Sequence, residues 1–236
     1  MNTQRLLGFL SVASAFLLTA LPSPAAPDPT FDPAAFVDEI DNEFFPLRPG
    51  TTFVYEGSSE GVSTRNIVEV TRRTKRILDV ETTVVRDRAY EEGVLVEDTL
   101  DWFAQDEEGN VWYFGEDTKE LDPAGNVIST EGSWEAGVDG AEAGIIMLAD
   151  PKKGDRYRQE FARDVAEDVA QVVSQDETAC VLYGCFGGML LTKETTRLEP
   201  AIAEHKYYAA GVGFVLGVMI KGGDERSELV SVTTPD

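Results

Sequence analysis

Histidine is almost absent from this chain, with His205 the only one among 236 residues. The scarcity excludes the His-rich ligand sets that zinc and copper sites prefer, and it leaves one side chain whose ordinary pKa suits proton transfer near neutrality. Basic residues are few as well, 20 against 43 acidic ones, for a formal net charge of −23. A field of that sign repels nucleic-acid phosphates and anionic lipid headgroups, so it argues against both as partners and favours cations. Cysteine occurs only at Cys180 and Cys185. Four residues separate the thiols where a redox pair has two, and two thiols without companions do not complete a tetrahedral metal site. No phosphate-binding glycine loop, paired zinc motif or serine-lysine dyad occurs, so no cofactor is expected.

Long apolar runs are missing except at the start, where LLGFLSVASAFLLTAL follows Arg5 and precedes PSPAA. This is the layout of a secretory signal, and its apolar core of sixteen residues falls short of the ~20 that span a bilayer. Cleavage after Ala25 places Ser23 and Ala25 at the two small-residue positions. Residues 1–25 are therefore expected to be a signal peptide, with the product secreted to the periplasm or outside the cell and not inserted in a membrane. That compartment permits disulfides. Cys180 and Cys185 flank VLYG, a hairpin-turn segment, and are expected to be bridged.

The next stretch, 26–43, opens with prolines and acids that bury little, which predicts a flexible leader. Within it Asp32 and Pro33 form a helix-start pair, and Phe36, Val37 and Ile40 recur at helical spacing, predicting a short helix from Pro33 to about Asp41. Residues 44–236 read as one β-rich domain of strands broken by glycine turns. Val80, Thr82, Val84 and Tyr90 alternate with polar neighbours, and across the Glu92-Gly93 turn Val96, Leu100 and Trp102 share one face. The run from Arg163 to Leu182 fits a helix or a strand in its first half and is read as strand from about Asp168. The fold class is mainly β: a single antiparallel meander curled into a half-barrel or barrel-like sheet, with the short helix before it.

Candidate sites are sparse. GSSEG around Ser59 matches a nucleophile pattern, with His205 downstream, but that pattern works where a strand feeds a helix, and here it is a polar turn between strands. Trp102, Trp112 and Trp134 lie close in sequence and suit either a pocket wall or the core. In AEHKYYA, alternation places His205 and Tyr207 on one face, and these two with the tryptophans make up the candidate binding set. The acidic turns at Asp106–Asn110 and Asp139–Glu142 cluster oxygen donors of the kind calcium takes. Neither has EF-hand spacing, since counting from Asp106 the glycine position falls on Val111 and the twelfth on Asp117, so no metal ligand is assigned.

Four strings, FFPLRPGTTFVYEG, VVRDRAYEEGVLVEDTLDWFAQDEEGNVWYFGEDTKE, EGSWEAGVDGAEAGIIM and EHKYYAAGVGFV, resemble a group of secreted bacterial proteins. The resemblance implies an exported all-β domain, similar in outline to half-barrel carrier proteins of the cell envelope, and brings no activity or ligand residue with it. The expectation is a non-catalytic extracytoplasmic binding or accessory protein for a small ligand or cation. Calcium-type binding at the acidic turns is the alternative, and a hydrolase using Ser59 or a carboxylate pair the third reading.

Overall fold

The computed structural model describes residues 31–235, so the expected signal peptide lies outside the described residues. A single turn of 3-10 helix at Pro33–Ala35 leads into β1 (Phe36–Val37). Then β2 (Thr52–Ser59), β3 (Val62–Ile77), β4 (Val80–Glu91), β5 (Val94–Asp106) and β6 (Val111–Leu121) run as a meander. Short strands β7 (Val127–Ser129) and β8 (Trp134–Glu135) pair with β6, and β9 (Glu142–Met147) continues the sheet. After β10 (Arg156–Arg158) and β11 (Glu160–Phe161), a second meander comprises β12 (Asp168–Val181), β13 (Gly184–Thr196), β14 (Ala203–Ala209), β15 (Gly213–Lys221) and β16 (Arg226–Thr233).

β16 pairs with β2, which joins the two meanders into one sheet. The sheet's terminal strands are β10, paired with β12, and β11, paired with β9. Only Gln159 separates them. One short segment therefore borders both ends, and the antiparallel sheet curls back on itself as a nearly closed barrel. Close crossing is required at this seam, and Gly144 of β9 permits it: a Cβ there would stand 2.3 Å from the Gln159 carbonyl oxygen. The hairpin turn Glu92-Gly93 has φ of 48° and 80°, the left-handed pair whose twist matches the flanking strands.

The expected helix over 33–41 does not form. Asp32 does cap a turn, its side chain accepting from the Ala34 amide, but Phe36 and Val37 then extend to pair with Asp106 and Gln105 of β5. Extension sets the Phe36 ring 5.9 Å from that of Trp112 and 5.6 Å from that of Phe114. A helix of two to three turns is marginal alone, and here its apolar residues gain more by joining this aromatic cluster. The segment from Arg163 is strand from Asp168 onward, as β12. Cys180 and Cys185 stand opposite each other across the β12–β13 turn and are disulfide-bonded.

Residues 40–47 close one end of the barrel, and Asn42 holds them there. Its Nδ2 donates to the carbonyls of Gly109 (2.9 Å) and Leu148 (3.0 Å), its Oδ1 accepts from the amides of Phe44 and Phe45, and its own amide donates to Gln105 Oε1. Asn42 itself is buried, so truncation orphans the Gly109 and Leu148 carbonyls and the Phe44 amide together, while the Phe45 amide keeps its bond to the Asn42 carbonyl. Asn42→Ala should cost about 3 kcal/mol in urea unfolding, on the basis of ~1 kcal/mol for each exchanged bond. A loss within 0.5 kcal/mol would refute the clamp.

Candidate functional site in the barrel interior

Alternation along a strand sends every second side chain inward, and in this barrel many of the inward ones are carboxyls. Two lobes of about 700 and 500 Å³ occupy the interior and share a wall of Glu116 (β6), Glu160 (β11), Asp168 (β12), Glu194 (β13), and Glu204 and Lys206 (β14). Asp87 of β4 and Asp101 of β5 line the smaller lobe. Among the described lining residues Lys206 is the only basic side chain. Its Nζ lies 2.7 Å from Glu194 Oε2 and 3.7 Å from Glu204 Oε2. Glu194 also accepts from the hydroxyls of Thr192 and Tyr208. Burial pulls the Lys206 pKa down, and the two glutamates more than reverse it, holding the ammonium charged.

The remaining carboxyls have weaker partners. Burial pushes Asp87 up to about 6 although Asn66 Nδ2 donates to it at 3.1 Å, and burial pushes Glu116 up to about 7 although the Thr118 hydroxyl donates to it at 3.0 Å. Asp101 is raised well above the carboxylate range by burial and then by Glu116, and it accepts from the Tyr113 hydroxyl at 2.8 Å. Glu160 rises to about 8, first through burial and then through Asp168, whose own pKa burial also raises. The two carboxyls lie near the seam on β11 and β12, and the charge of Asp168 makes Glu160 harder to ionise.

The candidates named from sequence fall mostly elsewhere. Trp102 and Trp112 are buried on the face of β5 and β6 opposite to Asp101, Phe103 and Tyr113, with Lys75 Nζ seated 3.2 Å from the Trp102 ring centre and the Trp112 indole donating to Asp106 at 2.8 Å. Trp134 touches the site, its indole donating to Glu160 at 3.2 Å. His205 and Tyr207 do share a face, with rings 6.4 Å apart, but Glu204, Lys206 and Tyr208 between and beside them are the inward set. Burial, and then Lys193, lower the His205 pKa. Ser59 lies beside Ser58 at a hairpin tip, and Ser58, Arg226, Val218 and His205 are successive cross-strand partners. Three strand spacings, about 14 Å, keep the serine from the imidazole. In the acidic turn at Asp106 both carboxylate oxygens are engaged by Asn110 and Trp112, so it is a turn cap. Among the described residues no group of three or more His, Cys, Asp or Glu is arranged to hold a metal ion.

No family model matches the chain, and no curated protein matches it. Two solved structures are similar to it. One, from Bacteroides fragilis, is described as exported with a YmcC-like fold; it is 15% identical over 82% of this chain and 100% of that one, with a TM-score of 0.49. The other, described as a lipoprotein from Parabacteroides distasonis, is 11% identical over 81% and 99%, with a TM-score of 0.40. Identities this low transfer no activity, ligand or residue role. Among the described residues no helix is long and apolar enough to cross a membrane.

The raised carboxyls set a pH dependence of stability. A carboxyl whose folded pKa exceeds its unfolded value of about 4 favours folding while protonated, so its contribution is full below ~4 and is lost as pH rises through the folded value. For Asp87, Glu116 and Glu160 that loss runs up to about 6, 7 and 8. Glu167, held near 2 by Arg197, acts only in stronger acid. Thermal melts of the ligand-free protein should fall by several degrees between pH 5 and 8.5, and Glu160→Gln should flatten the fall. A midpoint that climbs over this range would contradict the assignment.

Proposed function

We propose that the protein is an exported, non-catalytic binding protein that holds a small organic cation inside its barrel. The observation that carries this reading is the composition of the wall shared by the two lobes: five carboxyls with one lysine already paired to Glu194. Gathering carboxyls away from water is costly, and the protein lowers the cost by retaining protons. A cation entering the cavity replaces those protons and strengthens every interaction in a medium that screens poorly. The volumes, about 700 and 500 Å³, suit a small molecule and far exceed a bare ion.

A catalytic reading has less support. Ser59 and His205 stand three strand spacings apart, with β16 and β15 between their strands, so the serine has no base within reach. Primary amines should raise the melting midpoint at pH 8 while carboxylic acids of matched size do not. The amine affinity should increase about tenfold from pH 5.5 to pH 8 because binding expels protons, and it should persist in 0.5 M sodium chloride, where surface charge is screened. Equal stabilisation by amines and acids would remove the proposal.

A further inference from the structure

We infer that the cation is amphipathic, an ammonium joined to an apolar body and carrying an oxygen acceptor near the charge; this rests on the cation reading of the barrel. The smaller lobe has two chemically distinct ends. Along β2 consecutive inward residues change from Phe53 to Tyr55, along β4 from Val85 to Asp87, and both strands run the same way. Along the antiparallel β3 and β5 the change is from Val68 back to Asn66 and from Phe103 back to Asp101. Because neighbouring strands alternate in direction, all four changes point to the same end of the barrel. Each takes two residues, about 6.8 Å, and the change is staggered around the wall, with Val68 opposite Asp87 and Val85 opposite Asp101 in the ladder.

The apolar end is floored by Phe45, Pro46 and Leu47, with the Phe45 and Phe103 rings 5.4 Å apart. A hydrophilic polyamine would leave this end filled with poorly bonded water, whereas an alkyl or aromatic body fits it. The polar feature nearest the seam is Gln159, 2% exposed and lining the same lobe. Its Nε2 has no hydrogen-bond partner among the described residues. A buried carboxamide donor left unpaired is costly, and an acceptor oxygen on the ligand satisfies it. The carboxyl wall thus has a neighbour that calls for an acceptor, and the two together define one end of the ligand.

Isothermal titration of the purified protein at pH 8 with n-octylamine, n-octanol, octanoate, putrescine and 1-amino-2-octanol separates these elements. Octylamine should bind about tenfold or more tighter than putrescine or octanol, with octanoate weakest. Aminooctanol should bind tighter still, and Gln159→Met should erase only that added gain. Phe45→Ala should weaken octylamine and leave putrescine unchanged; Glu116→Gln should weaken both amines and leave octanol unchanged. If putrescine equals octylamine, the apolar body is refuted while the cation reading stands. If octanol equals octylamine, or no amine binds, the cation reading falls with it. If the hydroxyl adds nothing, the role given to Gln159 is wrong.

Discussion

Closure of the sheet at residues 156–161 is the constraint on which everything else depends. The first half of this short segment pairs with β12 and the second half with β9, with Gln159 between. Without it two long edges would be exposed and the interior would be a groove open to water. With it, the carboxyls on facing strands line one interior and are desolvated together. The seam itself is held by few ladder bonds, and the Glu160 carboxyl, with the Trp134 indole donating to it, lies against it. Sheet closure and the protonation of the cavity are therefore linked, since the burial that closure brings raises the carboxyl pKa values.

That coupling explains why a protein so acidic places acids inside as well. On the surface, carboxyls serve solubility and are cheap to hydrate. Inside, the one charge of Lys206 neutralises Glu194, its nearer partner, and the other carboxyls lean on protons that neutral pH barely supplies. Pairing them permanently with more lysines would give a stable barrel with no preference for a charged guest. Leaving them proton-held keeps a reserve of interaction that a cation can use.

Much of the fold was legible in the sequence, and most of the site was not. Turn chemistry at Glu92-Gly93 and alternation in AEHKYYA marked the strands and their faces, and the cysteine spacing marked a staple across a turn. What alternation does not supply is which face is inward. Leu100 and Trp102 share the apolar face of β5, yet Asp101 and Phe103 line the cavity, because both faces here are covered: Lys75 lies over Trp102, and Phe31 and Phe36 cover Trp112 and Phe114 on neighbouring β6. The same inversion on β14 made His205 and Tyr207 prominent and hid Glu204, Lys206 and Tyr208. A local cue existed, in that Asp101 shares its face with Phe103, an odd companion for a solvated acid. The helix over 33–41 failed for a related reason, since its apolar residues were recruited by an aromatic layer that only the folded sheet assembles.

The two ends of the barrel then acquire different roles. At the apolar end the 40–47 segment is fixed by Asn42, and its Glu43 carbonyl accepts from the Gly211 amide, so the floor is bonded to both meanders. The opposite end opens through the larger lobe, whose rim carries Glu131, Asp164 and Glu199 beside Leu198 and Ile202. An acidic rim above an acidic wall raises the local concentration of cations and repels anions before any contact is made. A guest arriving that way with its apolar part leading reaches the aromatic floor as its charge reaches the carboxyl wall. For the proposed cation, the order of walls along the barrel therefore favours one orientation, with its charged end left toward the opening.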